Sequence, residues 1–180
     1  MNNKLKVLKH PLLGEIKLPW EYNISLLCTA SYGGQDSKYH CDKKNSYYAL
    51  DFDRPWEGNI EPETKILVIS SGEVTSVNEE PQGLGLYVKV KHIHGIVSLY
   101  AHLKKVADDI YLGRKLGQGE IIGSLGETGK AYGPHLHFQL LVNGKCLKEI
   151  TDAKPEPISG YSNLMKGQWY KSDNCLKRKR

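Results

Sequence analysis

From Ile66 onward, short apolar runs alternate with clusters of Gly, Pro, Asn and charge. KILVIS, GEVTSV, GLYVKVKH and GIVSLYAH follow one another, and EIIGSLG and HLHFQLLVNGKCL come after them. Runs of this length, rich in β-branched and aromatic residues and bounded by turn formers, predict strands, because such side chains suit a half-buried pleated surface. The His94-Gly95 step in KHIHGIVSLY predicts the turn of a hairpin. Asn143-Gly144 between apolar flanks predicts another, since a two-residue hairpin loop needs positive φ at its centre. The middle of the chain is therefore expected to be an antiparallel sheet, and no long amphipathic helix is evident.

The pattern weakens on both sides of this stretch. Residues 1 to about 35 mix Pro11, Gly14, Pro19, Gly33 and Gly34 with short apolar runs, which predicts an irregular N-terminal segment packed on the core and carrying few catalytic groups. A main domain is expected over 36–150. Residues 151–180 lose the alternation and form a C-terminal extension with a basic tail, in which Trp169 and Tyr170 could anchor a last strand.

Bulk composition narrows the picture. A chain of 180 residues with 39% hydrophobic and 25% charged content can bury one good core and not two large ones. Its 18 glycines and 11 tyrosines favour strands and tight turns. The net charge of +5 suits an anionic surface, yet much of it sits in Lys177, Arg178, Lys179 and Arg180, which read as a solvated tail. Basic and aromatic residues form no nucleic-acid recognition motif, so no nucleic-acid partner is expected. MNNKLKVLKHPLLGEIKLPW holds no apolar stretch long enough for a signal peptide or a membrane span. Cys28, Cys41, Cys146 and Cys175 permit three pairings and leave both disulfides and free thiols open.

Chemistry concentrates in three strings. His135 and His137 lie two apart in GPHLHF; on a strand, alternation puts both imidazoles on one face. Gly126, Gly129, Gly133 and Pro134 precede them in GETGKAYGPHLHF, a loop suited to bringing backbone close to something before launching a strand. His102 ends SLYAHL, where a neighbouring hairpin would bring it beside the pair. Asp51, between Leu50 and Phe52 in HCDKKNSYYALDFD, is a carboxylate at a strand position, costly to bury unless paired or metal-bound. His40 heads the same string and would reach the site from a loop. Two imidazole nitrogens and one carboxylate oxygen, with a fourth position left to water, make a catalytic zinc site; a structural one would be closed by four protein ligands. Cys41 is a fallback ligand. His92 and His94 are also spaced as HxH but lack the Gly-Pro loop and are expected to be exposed, as is His10.

HCDKKNSYYALDFD, SLYAHL and GETGKAYGPHLHF, in that order, resemble the lysostaphin/LytM-type zinc metallopeptidases over about residues 38–145. The resemblance implies a mostly all-β fold, an antiparallel sandwich or barrel of the duplicated hybrid motif type with long loops walling a groove. It implies a peptidase domain over 36–150, Zn²⁺ held by His40, Asp51 and His137, and His102 and His135 as the unliganded catalytic histidines. It further implies hydrolysis of a peptidoglycan peptide, by a monomer without a membrane span, outside the cell or in the envelope. One departure stands out: many members carry the first histidine four residues before the aspartate, where this chain has Tyr47, and His40 would suit members with a longer insertion. A metal-free relative that binds peptidoglycan or activates an amidase is the alternative reading. A sugar-phosphotransfer carrier of similar fold would leave Asp51 and GPHLHF unexplained.

Overall fold

The computed structural model describes residues 8–10, 13–30, 40, 46, 48–55, 63–142, 145–146 and 164–174, with only the backbone of 8–10 and 145–146. Fourteen strands follow in order: β1 (Leu8–His10), β2 (Gly14–Ile16), β3 (Ser25–Ala30), β4 (Leu50–Asp53), β5 (Lys65–Leu67), β6 (Gly72–Glu80), β7 (Gly85–Lys91), β8 (Ile96–Ala101), β9 (Lys105–Val106), β10 (Lys115–Leu116), β11 (Ile121–Ser124), β12 (His135–Val142), β13 (Lys145–Cys146) and β14 (Trp169–Lys171). The described residues contain no α-helix, only a 3₁₀ turn at Ile93–Gly95.

The main sheet runs β10-β6-β7-β8-β12-β4-β3-β14, with β13 also on β12. A smaller sheet, β5-β11-β9, and the β1-β2 hairpin complete the fold, and every strand pairing is antiparallel. The two sheets enclose one core. Phe52, Val88, Val90, Tyr100, Leu136 and Phe138 from the large sheet meet Ile66 and Ile122 from the small one. The expected all-β antiparallel architecture is therefore what the chain adopts.

Alternation explains which residues reach the opposite face of the large sheet. In β12, Leu136, Phe138 and Leu140 enter the core, which turns His135, His137 and Gln139 the other way. In β4, Leu50 and Phe52 are in the core and Asp51 faces out with the histidines. Both predicted hairpins are present. His94 takes φ 57° in the turn between β7 and β8. Leu141 and Val142 pair with Cys146 and Lys145, on either side of Asn143 and Gly144, which lie outside the described residues.

Two expectations need correction. The N-terminal segment is more regular than its prolines and glycines suggest. SLLCTA alternates as a strand, pairs with β4, and puts Leu26 and Cys28 in the core, while Trp20 bridges to Ile66 and is fully buried. The breaker residues separate short elements and do not abolish them. β14 pairs with β3, so Trp169 and Tyr170 do lie in a last strand on the body. His92, in turn, is buried. It continues the inward alternation of Val88 and Val90, and its Nδ1–H donates to the Ser71 carbonyl at 2.9 Å while Nε2 accepts from Ser98 Oγ at 2.8 Å. With both ring nitrogens satisfied, burial is tolerated. His94 is exposed as expected, and the His10 side chain lies outside the described residues.

Candidate metal centre

Register builds the centre. β12 lies between β4 and β8, with His137 directly opposite Asp51 on one side and Ala101 on the other. Ala101 completes that row and ends β8; His102 follows it outside the strand, and its left-handed backbone, φ 59°, goes with a ring that lies beside His135 and His137. His135, two residues up β12, stands opposite Asp53. The ring centroids of His102 and His135 are 4.7 Å apart, and those of His102 and His137 5.8 Å.

Asp51 is the hub. Its Oδ1 is 2.9 Å from His137 Nδ1, its Oδ2 3.1 Å from His40 Nε2, and His135 Nε2 lies 4.0 Å from Oδ2. One donor atom each from His40, Asp51 and His137 fall within 4.8 Å of one another. Burial pushes the Asp51 carboxyl up, but hydrogen bonds from His137 and His40 and their positive charge outweigh that and hold it far below the usual carboxylate range. His40 and Asp51 thus meet His135 and His137, which lie more than 80 residues on in the chain. Cys41 and Tyr47 lie outside the described residues.

The two outer histidines are held by backbone. His102 Nδ1–H donates to the Thr128 carbonyl at 2.8 Å, and His135 Nδ1–H to that of Gly133 at 2.8 Å. A carbonyl can only accept, so in a neutral ring the Nε2 of each carries no proton and is the nitrogen left for chemistry. Burial, with the neighbouring His135 charge, pushes the His102 imidazole down to about 4 against the pull of the Thr128 carbonyl. It is therefore uncharged near neutral pH.

Two contributors carried no individual sequence signal. Gln139, two residues beyond His137 on the same face of β12, is buried and offers Oε1 at 3.4 Å to His137 Nε2. The i, i+2 spacing from the histidine pair was the available clue. Thr128 sat unremarked inside the Gly-rich string. The glycines of that string do bring backbone close, but to the chain itself: a methyl at Gly126 would collide with Lys104, and one at Gly129 with Gly85.

Residues 56–148, half of the chain, match the model of peptidase family M23. The chain belongs to peptidase family M23. The match contains His102, His135 and His137 and begins after His40 and Asp51. An uncharacterized metalloprotease of Haemophilus influenzae is 29% identical to this M23 chain over 119 residues, 64% of the chain and 25% of that protein. The peptidoglycan DD-endopeptidase ShyC of Vibrio cholerae is 42% identical over 60 residues, 33% of the chain and 13% of its own length. The M23 chain thus spans a quarter or less of these two relatives. Among solved structures, lysostaphin from Staphylococcus simulans superposes with a TM-score of 0.52 at 27% identity, covering 66% of this chain and 43% of that one.

Proposed function

We propose that this M23 chain is a zinc-dependent endopeptidase that hydrolyses peptide bonds in bacterial peptidoglycan, with His40, Asp51 and His137 as metal ligands and His102 and His135 as catalytic proton-handling groups. The observation that carries the reading is the meeting of two imidazole nitrogens and a carboxylate within 4.8 Å, flanked by two histidines with oriented rings.

The donor set suits zinc. Ligand atoms about 2.0–2.1 Å from a tetrahedral zinc ion lie roughly 3.3 Å from each other, and the contacts of Asp51 with His137 and His40 are 2.9 and 3.1 Å. Both nitrogens face oxygens of one half-buried carboxylate, an arrangement that needs either a proton on each or a shared cation. Three protein ligands leave a coordination position open, as catalysis requires.

Zinc held there would supply Lewis acidity toward water and the scissile carbonyl. His102, uncharged near neutral pH, offers Nε2 to take a proton from the attacking water. His135, its ring fixed by the Gly133 carbonyl, stands across from it and in its protonated form would donate from Nε2–H to the negative carbonyl oxygen, while the proton taken up by His102 passes to the leaving amine. Asp51 stays ionised throughout.

Peptidoglycan as substrate rests on likeness to ShyC, and with it a site of action in the cell envelope. Among the described residues no helix is long and apolar enough to cross a membrane. A second reading, a metal-free binding domain, draws support from Tyr47 at the position four before Asp51. Elemental analysis of wild type and His40→Ala, with release of new amino groups from purified peptidoglycan, separates the two. Near one zinc per chain, lost with His40, together with amine release, is the expected result; neither metal nor release would leave the binding domain.

A further inference from the structure

The Gly-rich loop holds one polar side chain that the chemistry above does not use. Thr128 Oγ1 donates to the Leu103 carbonyl at 2.8 Å and accepts from the Leu86 N–H at 2.9 Å. Its own carbonyl is the acceptor for His102 Nδ1–H at 2.8 Å. These partners are not scattered. Leu103 follows His102 in the chain, and its N–H donates to the Leu86 carbonyl at 3.0 Å, while the N–H of His102 donates to Leu84 at 2.9 Å. One hydroxyl therefore joins the start of β7, the segment leaving β8 and the loop before β12.

Backbone packing removes the slack from this junction. Gly85 and Gly129 both take positive φ, 62° and 73°. A methyl at Gly85 would collide with the Thr128 carbonyl group, and one at Gly129 with the Gly85 nitrogen. Lys130 N–H donates to the Gly83 carbonyl at 2.9 Å and closes the clasp. His102 needs such support, because it sits at φ 59°, a left-handed conformation unfavourable to a residue with a Cβ and maintained only where the surroundings over-determine it.

We propose that Thr128 is a positioning residue: its hydroxyl, set by the Gly85–Gly129 clasp, holds the Thr128 carbonyl against His102 Nδ1 so that Nε2 is the nitrogen presented for proton exchange. The inference rests on the reading of His102 as an acid–base group. A hydroxyl that merely stapled the loop would contribute to stability and leave the imidazole tautomer alone; one that positions the imidazole sets which nitrogen carries the proton.

Thr128→Val keeps the shape and deletes both hydroxyl hydrogen bonds, and Thr128→Ser keeps the hydroxyl. On peptidoglycan, Thr128→Val is expected to lower kcat by about ten- to a hundredfold, the scale of a small misplacement of a reacting group, with KM and zinc content unchanged, and Thr128→Ser to restore most of it. Imidazole ¹⁵N NMR should show His102 as a single Nδ1–H tautomer in wild type and Thr128→Ser, and as a mixture in Thr128→Val. Wild-type kcat in Thr128→Val, a change confined to KM, or an Nε2–H tautomer in the wild type would overturn the proposal. Should Thr128→Val not fold, Thr128→Cys, similar in size with a weaker donor, takes its place under the same readings. A wild type that holds no zinc and releases no amine defeats the peptidase reading, and the His102 tautomer then decides the Thr128 proposal alone.

Discussion

Asp51 and His137 face each other across a single register pair of adjacent strands, whereas His40 meets them from a segment that is in no strand among the described residues. The first two are held by geometry they share with the whole sheet: paired residues of neighbouring strands sit about 4.5–5.5 Å apart, and alternation forces both side chains to one face. His40 is held by its own contacts, a buried ring with its centroid 5.4 Å from that of His137 and a nitrogen 3.1 Å from Asp51. A side chain on a sheet is positioned by register; one outside it depends on its own packing.

The sharpest way to break this contrast is to remove each side chain in turn. His137→Ala and His40→Ala are both expected to lose zinc affinity by more than the roughly 10- to 100-fold typical of deleting an outer-shell partner, read by competition with a chelator, and to abolish amine release. Stoichiometric zinc in His40→Ala would remove the loop residue from the ligand set and leave the sheet pair standing. His102→Ala tests the histidine that lies just past the end of β8. Zinc should stay near wild type while hydrolysis falls by about a hundred- to ten-thousand-fold, the usual contribution of a general acid–base group. Loss of metal in that variant would mean that His102 is a ligand.

A third test concerns Trp20, which precedes the family match, as His40 does, and is also positioned by packing. Its ring is fully buried, with its centroid 4.8 Å from that of Phe52, next to Asp51. Trp20→Ala should cost about 3–5 kcal/mol in urea unfolding, as large-to-small core changes do. A cost below about 1 kcal/mol would show the segment to be a dispensable wrapping.

The smallest effect involves His92, where strand alternation runs one residue past β7. Burial pushes its imidazole below the ordinary value of 6.5 against the pull of the Ser71 carbonyl. The unfolded chain then binds the extra proton as pH falls below about 6.5, so the stability from neutral His92 is full above that pH and is lost as acidification proceeds toward the folded value. The slope from this group is at most about 1.4 kcal/mol per pH unit. His92→Gln should flatten urea stability between pH 7 and pH 5 relative to wild type; an unchanged slope would mean that the ring is not held neutral.

The same contrast governs what could be read in advance. The strands from Ile66 onward and both hairpins were legible because alternation and turn residues are local signals, and HLHF on a strand implied one face for His135 and His137 without further information. SLLCTA alternates too, but Pro19, Gly33 and Gly34 on either side masked it. His92 was misjudged because its spacing with His94 suggested a hairpin tip. It in fact continues the inward alternation one residue past β7, which becomes visible only when Ser71 and Ser98 are seen to satisfy it.

By itself, then, the sequence determined the period of the strands, the turns between them, and the residue types able to bind a metal and move protons. These follow from local sterics and from the chemistry of single side chains. The tertiary structure alone decided that His40, eleven residues before Asp51, reaches its carboxylate, and that Gly129 approaches the β6-β7 hairpin and Gly126 the segment after β8. It also decided that the Thr128 carbonyl chooses the proton-bearing nitrogen of His102. Each of these is a meeting of segments far apart in the chain, fixed by the register of a shared sheet and by close backbone packing, for which no local pattern in the sequence carries a signal.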